Sequence, residues 1–340
     1  MKSMHSASRR YFLKGALMGA AMLRAGGGRE LLAAAERGAS PSKSKVVLAR
    51  DALLRGTGST PGSSVDSGRM LALLDRSMQA LFDRDRPIEA WRMLVQPGEL
   101  VGLKVNALGG RGISSNLQLV EAICERLQEA GIKAGDIVVW DRDSEEMERA
   151  GFHISTSGNG VLCFGTDRVD YEEDLVAYGS VGSRLSKNLT QRSSVLINVP
   201  VLKDHDGAGV TISLKNMYGV IHNPNKYHPN GCNPYIADLN MLPEIRTRMR
   251  LIICDATTAM YEGGPGYKPE HSWHHNGLIV SQDPVALDYT GWQIIERKRA
   301  EKGLKTLEAE GRAPNYIATA ADREHRLGTN DPNRITTVEV

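Results

Sequence analysis

The chain has 340 residues, of which 41% are hydrophobic, with 42 Lys and Arg against 40 Asp and Glu. This length is enough for one large or two ordinary domains with a substantial core, so stability does not require disulfides or a metal. The near-neutral charge and the lack of a long Lys/Arg block give no electrostatic case for nucleic acid or an anionic membrane surface as partner.

The first residues carry an export signature. Residues 8–14 read SRRYFLK and directly precede a weakly apolar run from Gly15 to Leu23, which is typical of a twin-arginine signal peptide. The run is too short for a transmembrane segment, which needs roughly 20 apolar residues. Ala33–Ala35 offers a cleavage site of small residues. An ordinary basic N-terminus is the alternative, but it would have to produce the whole string by chance.

We therefore expect residues 1–35 to be a signal peptide and the mature protein to be periplasmic, after export by the twin-arginine translocase. Residues 1–35 hold six Lys or Arg and one Glu, so the formal charge is +2 for the full chain and −3 without them. The basic character of the full chain belongs to the signal segment.

From Lys45 onward, short β-rich runs alternate with amphipathic stretches. This pattern predicts an α/β fold: a mainly parallel sheet flanked by helices, with long loops at the carboxyl ends of the strands. We expect a single domain over residues 36–340, with an irregular excursion near residues 151–194. The predicted strands cover residues 46–48, 100–105, 136–140, 195–199, 251–254 and 277–280. The predicted helices cover residues 67–82, 116–130, 236–249 and 283–301, with a loop and short helix in 209–220.

Lysines cluster where predicted strands end. Lys104 and Asn106 end the second strand, and Lys203, His205 and Lys215 follow the fourth. A lysine in an apolar run loses its hydration unless it faces a polar partner, and ligands of open α/β sheets bind outside the carboxyl ends of the strands. A salt bridge or an exposed amine would explain any one of these lysines. Three together favour a shared site for phosphate or carboxylate.

Two more polar residues join this predicted site. Asn216 follows a Gly/Thr-containing loop at a helix start, where free N–H groups suit an anion, and Asp255 closes the fifth strand. The residues predicted to bind an anionic substrate are Lys104, Asn106, Lys203, Asn216 and Asp255.

Six of the nine histidines lie within residues 205–275. Neutral imidazole is both a common metal ligand and the usual proton carrier near neutral pH, so either a metal or acid–base chemistry is open. No spacing matches a zinc motif such as HExxH. His205 and His228 are the better candidates, because His274 and His275 are adjacent and cannot both point the same way in a strand.

Four cysteines are scattered along the chain without a CxxC pair of the kind that holds zinc or an iron–sulfur cluster. Cys124 and Cys254 fall in apolar patterns typical of core residues. Cys232 lies in a polar loop and is the one worth testing for reactivity.

Four segments in order resemble the domain-of-unknown-function 362 family: LKVN at 103–106, INVPVLKDH at 197–205, SLKNMYG at 213–219 and DPVALD at 283–288. The resemblance extends from about Val46 to the C-terminus. It implies an α/β fold and a frequent association with ferredoxin-like iron–sulfur modules, whose clustered cysteines this chain lacks.

A shorter stretch is similar to the lactate racemase family, in which a histidine is followed ten residues later, through a Gly/Ser/Thr-rich turn, by a lysine. His205 and Lys215 show this spacing. The resemblance implies that Lys215 attaches or contacts a nickel-pincer nucleotide, that His205 moves a proton, and that His222 or His228 ligates a metal.

Two functions stay open. The first is an exported enzyme, dependent on a metal or metal-containing cofactor, that acts on a small anionic substrate with His205 and Lys215 as catalytic residues. The second is a non-catalytic protein of the cell envelope that binds a ligand or docks with an iron–sulfur redox partner.

Overall fold

A large mixed sheet organises the protein, and the computed structural model describes residues 43–56 and 64–340. In these residues eleven strands belong to this sheet and two form a separate hairpin. The strands are β1 (Ser44–Arg50), β2 (Val101–Val105), β3 (Ile137–Trp140), β4 (Leu162–Cys163), β5 (Val176–Tyr178), β6 (Val181–Ser183), β7 (Val195–Val199), β8 (Val201–His205), β9 (Gly209–Thr211), β10 (Met249–Met260), β11 (Ser272–Trp273), β12 (Gly277–Ser281) and β13 (Ile335–Glu339).

The main path through the sheet runs β13-β1-β12-β10-β7-β2-β3-β4. The five neighbours from β10 to β4 are parallel, whereas β12 is antiparallel to both β1 and β10. Strand β10 is long enough to pair with β7 at its start and with β8 further on. The parallel centre therefore brings the carboxyl ends of β2, β3 and β7 to one edge of the sheet.

Helices cover both faces of this sheet. The helices of the described residues are α1 (Ser67–Phe82), α2 (Pro87–Leu94), α3 (Leu117–Glu129), α4 (Ser144–Ala150), α5 (Lys187–Thr190), α6 (Ser213–Asn216), α7 (Tyr235–Asn240), α8 (Pro243–Arg246), α9 (Pro284–Glu301) and α10 (Tyr316–Ala321). The long helices begin at side-chain caps: Asp66, Asn116 and Asp283 each accept a backbone N–H of the first turn.

Two hydrophobic cores lie on opposite faces of the sheet. Successive residues of β7 alternate between them, with Leu196 in the core that holds α6, α7 and α9, and Ile197 in the core that holds α1 to α4. All five residues of β7 are buried. A central strand buried on both faces is continuously apolar, which explains why the sequence shows no polar alternation here.

The predicted α/β class, a mainly parallel sheet flanked by helices, is confirmed. The helices predicted at 67–82, 116–130 and 283–301 are present, as are all six predicted strands, although β1 and β10 extend beyond their predicted bounds. The predicted excursion at 151–194 contains short elements, β4 to β6 and α5. The predicted signal peptide, residues 1–35, lies outside the described residues.

Three local predictions were wrong. Residues 209–211 form strand β9 where a loop was expected, and residues 201–205, beyond the predicted end of the fourth strand, form strand β8. The fifth strand continues past Cys254 to Met260, so Asp255 lies within it and does not close it. The helix expected at 236–249 is two short helices, because Pro243 begins a new one.

No helix among the described residues is long and apolar enough to cross a membrane.

A histidine between two carboxylates ties the C-terminal region to α7. His325 is 4% exposed; its Nε2 lies 2.9 Å from Oδ1 of Asp238, and its Nδ1 lies 2.9 Å from Oδ1 of Asp322. Burial lowers the pKa of His325, but the hydrogen bonds to Asp238 and Asp322 outweigh it and raise the pKa above the ordinary value of 6.5. The charged imidazolium is therefore the form that the fold stabilises.

This raised pKa makes stability depend on pH. The stabilisation that His325 contributes is fully present below the unfolded pKa and is lost as pH rises through the folded pKa. Lys203, Lys215 and Asp288 also titrate in this range, so the quantity to follow by urea unfolding is the difference in the free energy of unfolding between wild type and His325→Gln, which should be larger near pH 6 than near pH 9. His153→Gln, at an exposed histidine, is the matched control. A difference between wild type and His325→Gln that stays constant from about pH 6 to pH 9 would contradict the assignment.

Candidate functional site

A cleft of about 280 Å³ opens at the carboxyl edge of the parallel strands. Its walls come from the ends of β2, β3, β8 and β9, from α6, and from the segment after α6. The polar residues that line it include Lys104, Asn106, Asp141, Glu146, His205, Thr211, Lys215, Asn216 and His228. This edge is where ligands of open α/β sheets bind.

The amide of Asn216 joins the elements that form the cleft. Its Nδ2 donates to Oδ1 of Asn198 at 2.7 Å and to the carbonyl of Lys104 at 3.3 Å. Its Oδ1 accepts from Nδ2 of Asn106 at 3.0 Å and lies 3.4 Å from Nζ of Lys104. The side chain thus fixes α6 against the ends of β2 and β7 and is itself buried.

Lys104 is held by an ion pair. Its Nζ lies 2.7 Å from Oδ1 of Asp141, and both side chains are at least nine-tenths buried. Asp141 also accepts the backbone N–H of Ala107 at 2.8 Å. Gly219 packs directly against this pair. The charge of Lys104 is therefore balanced by a carboxylate at its own end of the cleft.

Lys203 lies behind the cleft, fully buried. Its Nζ donates to Oδ1 of Asn106 at 2.9 Å, and within the described residues it forms no ion pair. Burial lowers the pKa of Lys203 to about 7; the nearby Asp141 opposes this shift, and the positive charges of Lys215 and Lys104 add to it. An anion in the cleft would favour the charged form of this lysine.

Lys215 points into the cleft from α6 and is 6% exposed. Its Nζ lies 3.4 Å from Nε2 of His228 and 4.4 Å from the ring centroid of Tyr218. No carboxylate in the described part of the chain pairs with it. Burial lowers the pKa of Lys215 to about 8, so a minor fraction of this amine is unprotonated at neutral pH and the fraction rises steeply above it.

The two histidines of the cleft stack with ring centroids 5.9 Å apart. Nδ1 of His205 accepts the backbone N–H groups of Gly207 and Ala208 at 3.0 and 3.1 Å, so its hydrogen is on Nε2. Nδ1 of His228 lies 3.1 Å from the carbonyl of Pro224, which can only accept, so Nε2 of His228 is left as an acceptor toward Lys215.

Both imidazoles are neutral. Burial, followed by the positive charge of Lys215, lowers the pKa of His205 to about 2 and also lowers the pKa of His228. His205 therefore serves as a hydrogen-bond donor through Nε2–H, and an imidazolium form is strongly disfavoured.

Thr211 adds a donor that the sequence analysis missed. The residue is 5% exposed and lines the cleft, yet its hydroxyl has no hydrogen-bond partner among the described residues. Buried hydroxyls are almost always paired, so this group points to a ligand. Only the fold reveals it, because an unpaired hydroxyl leaves no mark in a sequence.

The N-terminus of α6 was expected to receive the anion, and this expectation was wrong. Asp288 of α9 already occupies it, with its carboxylate accepting the backbone N–H groups of Ser213 at 2.7 Å and Leu214 at 3.1 Å. Burial raises the pKa of Asp288 to about 8, against the lowering effect of these two bonds. The role of Asp288 is to position the helix that carries Lys215.

The structure brings together most of the predicted site residues. Lys104, Asn106, His205, Lys215, Asn216 and His228 line the cleft, and Lys203 lies directly behind Asn106. Asp255 is elsewhere: it is buried within β10, where its Oδ2 accepts the backbone N–H of Asn116 at 2.6 Å. Its carboxylate supports α3 and does not face the cleft.

His222 also lies outside the cleft. It is exposed and packs edge-on against Tyr171 with ring centroids 5.1 Å apart, because the turn at Pro224–Tyr227 carries only His228 inward. The described residues contain no group of three or more His, Cys, Asp or Glu side chains able to hold a metal ion. Of the two histidines named as candidate metal ligands, His228 lines the cleft and His222 does not.

The four cysteines are free and buried. Cys232, singled out as the one to test, is fully buried beneath His228, and burial raises the pKa of its thiol. A buried thiol of raised pKa is unreactive.

Comparison with known proteins identifies one family. The model of the family described as Domain of unknown function (DUF362) matches residues 101–293, which include all the cleft residues named above. No curated protein matches the chain. A crystal structure of a protein from Thermotoga maritima is similar in part, with 11% sequence identity and a TM-score of 0.41. The similarity covers 69% of this chain and 59%, less than two thirds, of that one.

Gly219 gives a test of the close packing around Lys104. A methyl group at this position would lie 2.6 Å from Nζ of Lys104 and 2.8 Å from Oδ1 of Asp141, so Gly219→Ala must displace the ion pair. We expect a loss of about 1–3 kcal/mol in the free energy of unfolding, measured by urea denaturation. Gly182→Ala is the control, because the nearest atom to its new methyl is 4.0 Å away. Equal stability of the two variants would contradict the packing described.

Proposed function

This chain belongs to the DUF362 family, and we propose that it is an enzyme that binds a small anionic substrate, a carboxylate or phosphate, in the cleft between Lys215, His205 and Thr211. The observation that carries the proposal is the set of unpaired donors. The Nε2–H of His205 and the Lys215 amine border the cleft without a carboxylate or carbonyl partner among the described residues. Thr211 also lines the cleft, and its buried hydroxyl has no partner in the same part of the chain.

Charge in the cleft favours an anion. Asp141 is balanced by Lys104 at 2.7 Å, and burial together with the charge of Asp141 raises the pKa of Glu146 on the opposite wall. Lys203 and Lys215 have no such counter-charge in the described residues. An anion would supply it and would restore the charged state of both lysines.

We assign different chemical roles to Lys215, His228 and His205. Lys215 exchanges a proton, because a pKa of about 8 leaves both of its forms populated. Nε2 of His228 accepts from that amine at 3.4 Å. His205 donates through Nε2–H to a substrate oxygen and stabilises negative charge that develops there. His205 was predicted to act as an acid–base group, and we now propose that it acts as a neutral hydrogen-bond donor.

The expected cofactor was to be attached to Lys215 and bound by a histidine ligand, and these two parts of the expectation differ in their support. Lys215 is placed in the cleft, where a covalently attached group could reach His205. As a metal ligand in the cleft His222 does not fit, because it is exposed and lies outside the lining, whereas His228 is part of it. We derive no step through a metal.

Anion binding tests the function. Calorimetric titration with acetate and inorganic phosphate should detect at least one of them, and both Lys215→Met and Thr211→Val should weaken that binding, the first by about tenfold or more, as expected for a lost charge-assisted hydrogen bond. Lys226→Met removes the same charge from an exposed position and should leave the affinity unchanged.

Absence of binding by the wild type would overturn the proposal. The non-catalytic alternative, a cell-envelope protein that docks with an iron–sulfur partner, would then be the one to pursue by co-purification.

We also propose export by the twin-arginine route to the periplasm, on the SRRYFLK string at residues 8–14. Replacing Arg9 and Arg10 together by Lys should abolish or strongly reduce the periplasmic fraction of the protein, measured by cell fractionation and immunoblotting. Replacing Arg24 and Arg29 by Lys is the matched control within the same segment. Equal export of the two double variants would contradict the twin-arginine route.

A further inference from the structure

Two lysines line the cleft and a third, Lys203, lies behind it, and the surroundings of the three amines differ in a way that bears on their reactivity. Lys104 is held in an ion pair by the Asp141 carboxylate at 2.7 Å. Lys203 is sealed behind Asn106 with no exposed surface. Among the described lysines of the cleft, Lys215 alone both borders the open space and lacks a carboxylate. It is the amine that a substrate can reach in its neutral, nucleophilic form.

We propose that Lys215 forms an imine with the carbonyl carbon of a small 2-oxo carboxylate held in the cleft. The inference rests on the proposed anion-binding function and names the substrate class that the same residues would take. Both functional groups of such a molecule have a partner here: the carbonyl carbon meets the Lys215 amine, and its oxygens meet the donors of His205 and Thr211.

The surroundings of Nζ suit addition to a carbonyl. Nζ lies over the face of Tyr218 at 4.4 Å from the ring centroid, which keeps water from that side. Nε2 of His228 lies 3.4 Å away with its lone pair free, because Nδ1 is engaged by the carbonyl of Pro224. A neutral acceptor next to the amine can take up the proton that the amine loses when it forms a bond to carbon.

The atoms and protons of the reaction balance as follows. The neutral amine adds to the carbonyl carbon, and one of its two protons passes through His228 to the carbonyl oxygen, which becomes a hydroxyl. The remaining proton on Nζ passes by the same route to that hydroxyl, which leaves as water while Nζ becomes doubly bonded to carbon. The imine then takes up one proton from solvent and becomes the protonated form. One water is released, no electrons are transferred to any other group, and no co-reactant is required. The Nε2–H of His205 and the hydroxyl of Thr211 can stabilise the oxygen as its charge changes.

A carboxylate next to the reacting carbonyl would balance the positive charge in the cleft. The protonated imine carries the positive charge that Lys215 otherwise carries as ammonium, and an adjacent carboxylate supplies a counter-charge that the described residues do not. The positive charge of Lys203 behind Asn106 adds attraction for that carboxylate. A simple aldehyde or ketone would leave these cations unbalanced.

Reductive trapping tests the proposal. The purified protein is incubated with pyruvate and sodium borohydride, and intact mass is followed by peptide mapping. The expected result is a single adduct, one pyruvate less one oxygen atom, on the peptide that contains Lys215. Because mapping of the wild type identifies the modified lysine directly, the test does not depend on the folding of a variant.

Two variants sharpen the experiment. Lys215→Arg keeps the positive charge but cannot form an imine, so the adduct should disappear. Lys226→Arg, at an exposed lysine beyond α6, should leave trapping unchanged. Lactate has the carboxylate but no carbonyl, and it should bind without giving an adduct while competing with pyruvate for trapping.

The outcomes separate the two proposals. An adduct on Lys215 that lactate suppresses supports the imine. Binding of lactate or pyruvate by calorimetry with no adduct, or with adducts spread over exposed lysines, overturns the imine and leaves the anion-binding function in place. Absence of both binding and adduct overturns the imine and the proposed function together.

Discussion

The amide of Asn216 is the contact on which the arrangement of the cleft depends. Both of its polar atoms are used: it reaches Asn198 at the end of β7, and Lys104 and Asn106 at the end of β2. A buried amide that is fully paired fixes one relative position of the groups it joins. Lys215 is the preceding residue, so the same bonds that hold Asn216 determine where the reactive amine lies.

This arrangement gives one buried lysine a carboxylate partner and leaves two others without one. One lysine is neutralised by Asp141, while two others are buried without a carboxylate in the described residues. The histidines beside them are held neutral by burial and by the positive charge of Lys215. Uncompensated burial is costly for a cation. The fold tolerates that cost at the carboxyl edge of its sheet, where a ligand can offset it, and this pattern is typical of functional sites.

The sequence predicted the sheet and its long helices, because burial on one or both faces leaves a local pattern. It failed where structure depends on distant partners. Strand β8 lies beyond the predicted end of the fourth strand at residue 199 and was not predicted; it forms because β10 extends to Met260 and offers an edge to pair with. The cluster of lysines was foreseen from strand ends. The hydroxyl of Thr211 and the cap from Asp288 were not, because both are defined by contacts across the fold.

The ionisation of Lys215 tests the central claim most directly. Trace acetylation with acetic anhydride at a series of pH values, analysed by mass spectrometry with exposed lysines as internal comparison, reports when this amine loses its proton. A buried amine without a counter-charge should become half-reactive near pH 8, the pKa of about 8 that burial imposes on it. A midpoint at or above the ordinary lysine value of 10.5 would show that its charge is compensated, and would contradict both the vacant anion site and the nucleophilic amine.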